Sequence, residues 1–61
     1  MNAEEKKEQR KILIEARMNA KAQIEAYRYL EEATGDNYEK EINALLDRIS
    51  LIDKMEEELK K

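Results

Sequence analysis

The chain has 61 residues, among them no cysteine, histidine, proline, tryptophan or phenylalanine, and only one glycine. Without cysteine no disulfide can form, and without cysteine or histidine the usual zinc frameworks are excluded as well. The same absences remove every Ser-His or Cys-His nucleophilic pair, since the aliphatic hydroxyls are reduced to Ser50 and Thr34. A single glycine cannot build a phosphate-cradling loop. Turnover would rest on Glu, Lys and Tyr alone, so no catalytic residue, cofactor or metal is expected. The many carboxylates, such as Glu31 and Glu32 or the run Glu56-Glu57-Glu58, read as solvated helix faces.

Apolar runs are equally scarce. None exceeds three residues, Ile12-Leu13-Ile14 being one, which is far below a signal-peptide core or a membrane span. With neither a Met-Gly start nor a cysteine to carry a lipid, a soluble chain with no membrane partner is expected. The lack of cysteine fits a cytoplasmic location. Twelve basic and fifteen acidic residues leave a net charge of −3, so attraction to nucleic acid would have to come from a local patch.

What the chain does contain is helical pattern. The only local break is Thr34-Gly35-Asp36-Asn37, where glycine suits the left-handed residue after a helix end. Asp36 and Glu39 have the spacing of a capping box that opens a second helix, and Asn2 and Glu5 repeat it near the start of the chain. The fold class expected is all-α: one domain over residues 1–61, folded as a two-helix antiparallel hairpin. Its first helix covers about residues 3–33, its turn residues 34–37, and its second helix about residues 37–59.

The second segment carries a heptad of Tyr38, Ile42, Leu45, Ile49 and Ile52, with Glu56 where an apolar residue is due, then Leu59. The first offers Leu13, Ala16 or Arg17, Ala20, Ile24, Tyr27 and Glu31 at the same spacing. A fold-back at Gly35 places level those residues whose numbers sum to roughly 72, which sets Ala20 against Ile52 and Ile24 against Ile49. Residues 1 to about 9 then have no partner in the hairpin.

This seam leaves much of the apolar surface unused. A second face on the first helix carries Ile12, Ala22, Ala26, Tyr29, Leu30 and Ala33, with Met18 at its edge and Asn19 and Gln23 within it. The second helix adds Leu46 on one flank and Ala44, Leu51 and Met55 on the other. A helix apolar over more than half its circumference must be covered on more than one side. A self-associating helical bundle is expected, most simply a dimeric four-helix bundle, with an interface built from Met18, Asn19, Ala22, Gln23, Ala26, Leu30, Leu51 and Met55. Such a protein acts by stoichiometric binding to itself or to another protein, as a regulator, adaptor or inhibitor does.

One polar constellation stands out. Arg10, Arg17, Lys21 and Arg28 fall within about 40° of one another around the first helix and form a basic stripe. As a binding site, the stripe would hold a nucleotide or nucleic acid with Tyr29 stacking on a base, the mode of a sequestering protein of viral or mobile-element type. As a solvated face, it would be neutralised by Glu25 and Glu32, each four residues beyond Lys21 and Arg28.

Overall fold

The computed structural model describes residues 2–61, and those residues form two antiparallel helices with no strand among them, α1 (Ala3–Thr34) and α2 (Glu39–Lys60). Helix α1 starts where the sequence places its cap. The Asn2 side chain accepts a hydrogen bond from the Glu5 backbone N–H at 2.8 Å, and two acidic residues, Glu4 and Glu5, occupy the positive first turn. The helix stops at Gly35, whose φ of 77° carries the chain into the left-handed region while its N–H donates to the Glu31 carbonyl. Thr34 closes the same end, donating its hydroxyl to the Leu30 carbonyl and accepting from the Asp36 N–H.

The opening of α2 differs from expectation. The Asp36–Glu39 capping box does not form, and the helix begins at Glu39, two residues later than predicted. Asn37 takes the capping role locally by accepting from the Glu39 N–H at 2.8 Å. The Tyr38 N–H is held by the Glu31 carboxylate of α1 at 2.9 Å. The turn is therefore fastened from the other helix, which a reading of local spacing cannot see.

The seam follows the heptad. Every described residue that is buried or half-buried belongs to it: Leu13, Ala16, Arg17, Ala20, Ile24, Tyr27 and Glu31 on α1, and Tyr38, Ile42, Leu45, Ile49, Ile52, Glu56 and Leu59 on α2. Ala20, Ile24, Ile42 and Leu45 form the centre, with Tyr27, Tyr38 and Ile49 packed against it. Tyr27 and Tyr38 meet with ring centroids 5.2 Å apart in a tilted arrangement and cover the turn end of the core. At the other end Arg17 reaches Asp53 and Glu56, whose numbers sum with 17 to 70 and 73, close to the level register predicted from the turn.

Helix α1 has 32 residues and α2 has 22, so α1 outruns its partner by about 15 Å at 1.5 Å per residue. Residues 2–12 are all exposed. They are not wholly without a neighbour, because Ala3, Lys6 and Arg10 border a shallow hollow shared with Glu56, Leu59 and Lys60 of α2; Met1 lies outside the described residues. The result is a flat rod, with Cα extents of 48 × 14 × 10 Å. No helix of the described residues is long and apolar enough to cross a membrane.

Candidate interaction surfaces

A two-helix hairpin has two broad faces, and helical handedness decides which residues share each. Both helices are right-handed and they run in opposite directions, so residue angles that turn clockwise on α1 turn anticlockwise on α2 when viewed along one axis. The pairing of Arg17 with Asp53 fixes which flanks come together. On that side lie Arg10, Lys21 and Arg28 from α1, with Leu46 and Asp53 from α2. On the opposite side lie Ile12, Asn19, Gln23, Ala26 and Leu30 from α1, with Ala44, Arg48, Leu51 and Met55 from α2. One broad face is charged and the other is mostly apolar.

The expected interface residues are all exposed in the single chain, including Met18 at 64% and Leu51 at 56%. They do not form one patch. Asn19, Gln23, Ala26, Leu30, Leu51 and Met55 lie on the apolar broad face, whereas Met18, Ala22 and Tyr29 point away from α2 along the outer edge of α1. Ala44, on the flank expected for it, and Arg48 complete the apolar face. Arg48 is the addition that sequence reasoning missed, although at 100° per residue it falls between Leu51 and the seam.

The basic stripe is rearranged. Arg17 is drawn into the seam, 35% exposed, where its guanidinium pairs with Asp53 and sits 3.3 Å from a Glu56 oxygen; the Glu56 side chain is only 13% exposed. These are the only ion pairs among the described residues, so the expected Lys21–Glu25 and Arg28–Glu32 neutralisation does not form. Arg10, Lys21 and Arg28 stay exposed and unpaired on the charged face. Tyr29 is 71% exposed, but it lies about 100° around α1 from Arg28 and so does not share the stripe. Tyr27, the other aromatic near Arg28, is engaged with Tyr38.

Polar chemistry at the cluster is structural in form. Arg17 Nε and Glu56 Oε1 are both buried without a hydrogen-bond partner, an arrangement that fixes register at some expense in stability. Glu56 occupies the heptad position where an apolar residue is due, and Arg17 is its level counterpart. The register rule applied to Arg17 would have found this pair, which the stripe reading overlooked. Among the described residues no group of three or more Asp or Glu side chains could hold a metal ion.

Comparison with protein-family models, with curated proteins and with solved structures gives no match. The functional reading therefore rests on the residues themselves.

Proposed function

We propose that this chain is a small non-enzymatic interaction protein that acts by stoichiometric binding, as a homo-oligomeric helical bundle, most simply a dimeric four-helix bundle. The observation that carries this reading is the disposition of apolar side chains. The hairpin seam closes with five buried residues, Ala20, Ile24, Ile42, Leu45 and Ile52, while Ile12, Met18, Leu30, Leu46, Leu51 and Met55 remain exposed. A seam of that size is thin for a chain with no cysteine to reinforce it by a disulfide. An adaptor or inhibitor of this design needs no catalytic group and works through the surfaces its bundle presents.

A second reading is favoured by the three unpaired cations Arg10, Lys21 and Arg28 on one face. Two or more copies would bring such faces together around a nucleotide or a nucleic-acid backbone. Arg17 is a weaker phosphate contact than its place in the stripe suggested, because it must first leave Asp53 and Glu56.

Light scattering on a sizing column, with absorbance read at 260 and 280 nm, separates the two. Three tyrosines and no tryptophan give a weak protein signal, so bound nucleotide raises the 260 nm reading visibly. A multimer with a tyrosine-only spectrum supports the interaction protein. A multimer carrying 260 nm-absorbing material supports the second reading, and a fully helical single chain overturns the first.

A further inference from the structure

We infer that the broad face opposite the Arg17–Asp53 pair is the surface on which a second copy of this chain docks, with the charged face turned outward. The inference rests on the self-association proposed above and adds to it which face is used and what covers it.

Area is the first support. The chain exposes 5128 Å², whereas a compact monomer of 7.3 kDa exposes about 4,200 Å². The surplus, roughly 900 Å², is close to the ~800 Å² that one partner buries in an interface of standard size. Stacking two flat rods on their broad faces thickens the 10 Å dimension, where the deficit in compactness lies.

Charge is the second. From Ile12 to Leu30 the α1 side of this face carries no charged residue, with Asn19 and Gln23 its only strongly polar groups. The α2 side adds Arg48 and, toward the turn, Glu41, which are opposite in sign. Over this stretch the face is therefore nearly free of charge and does not repel a copy of itself, while Glu5 and Glu8 fall on the same flank beyond it. A strongly acidic or basic partner would find no complement there. The other broad face carries charges of both signs, Arg10, Lys21 and Arg28 beside Glu32, Asp53 and Glu57, and covering it with a copy would take many charges out of water. Asn19, Gln23 and Arg48 stand near mid-length between Leu30 and Met55. Once covered they form a polar layer that favours one register over sliding alternatives.

The test uses the intact chain and one substitution on each face. Leu51→Glu lies on the proposed surface and Leu46→Glu on the opposite one, and both positions are exposed in the single chain. The expected result is that Leu51→Glu weakens dimerisation by about 100-fold or more, since two carboxylates are buried per dimer, while Leu46→Glu keeps the parent mass. A chain that loses its partner also loses helix, so a non-disruptive measurement accompanies Leu51→Glu. The chain has no cysteine, so Gln23→Cys and Lys21→Cys each place one thiol for a short bismaleimide. Gln23→Cys should give covalent dimer and Lys21→Cys should not. Loss of assembly in Leu46→Glu, or crosslinking from Lys21→Cys alone, assigns the wrong face and overturns this inference while leaving self-association intact. A parent chain of single mass overturns both.

Discussion

Replacing Arg17 by alanine removes the one cation in the seam and leaves the largely buried Glu56 carboxylate with no counter-charge. The cost can be bracketed from exposure. A fully exposed ion pair contributes about 0.2–1 kcal/mol, and breaking a fully buried one costs about 3–5 kcal/mol. Arg17 is 35% exposed, Asp53 51% and Glu56 13%, so the Arg17–Glu56 contact is largely dry and the Arg17–Asp53 contact largely wet. About 1.5–2 kcal/mol follows for Arg17→Ala, which for a domain of this size lowers Tm by roughly 10 °C. The double variant Arg17→Leu with Glu56→Leu should behave in the opposite way. It restores two apolar residues to a seam that otherwise keeps its heptad and removes two buried polar atoms that make no hydrogen bond, so it should melt at or above the parent temperature. Thermal unfolding followed by circular dichroism at 222 nm, with all variants at one protein concentration, reads both effects. If Arg17→Ala stays within about 2 °C of the parent, or the double variant melts below it, the reading of this cluster as a costly register device is refuted.

Other perturbations probe the turn and the charged face. Gly35→Ala places a Cβ where nothing lies within 4 Å, so its cost is purely that of the positive φ. A loss of about 1 kcal/mol is expected, with Gly35→Asn milder, both read from urea midpoints. Glu31→Ala removes the acceptor for the Tyr38 N–H and should cost about 1 kcal/mol, while Glu31→Gln, which keeps an acceptor oxygen, should retain much of it. Lys21→Glu and Arg28→Glu touch unpaired exposed side chains and should change stability by under ~0.5 kcal/mol in the same assay.

The legibility of this molecule in its sequence varied with the range of the interaction. A seam that repeats every three and four residues is a local pattern, and the heptad from Tyr38 to Leu59 with its counterpart from Leu13 to Glu31 matches the set of buried and half-buried residues. Gly35 was legible for the same reason, since one glycine amid helix formers has one natural use. The start of α2 was not, because two acceptors compete for its free N–H groups. Asn37 sits closer than Asp36, and Glu31 arrives from the other helix. Arg17 fits two patterns, the seam and the stripe, and its partners are not legible from one helix. On a single helix it belongs to the stripe with Arg10, Lys21 and Arg28, and only the pairing of two helices shows that Glu56 and Asp53 lie across from it. A wheel drawn for one helix places Met18, Ala22 and Tyr29 beside the apolar face, which they only edge. Placing them required the handedness of the hairpin, a property of the pair.

If the hairpin self-associates as proposed, it draws its stability from a second copy of itself. The most direct measurement is the unfolding midpoint across a 100-fold range of protein concentration. Mass action predicts a rise equivalent to about 2.7 kcal/mol over that range, seen as Tm climbing steadily with concentration and helicity falling at the dilute end. A midpoint that stays constant while the chain remains fully helical would show that the 22-residue helix and its partner hold together alone, and would contradict the account.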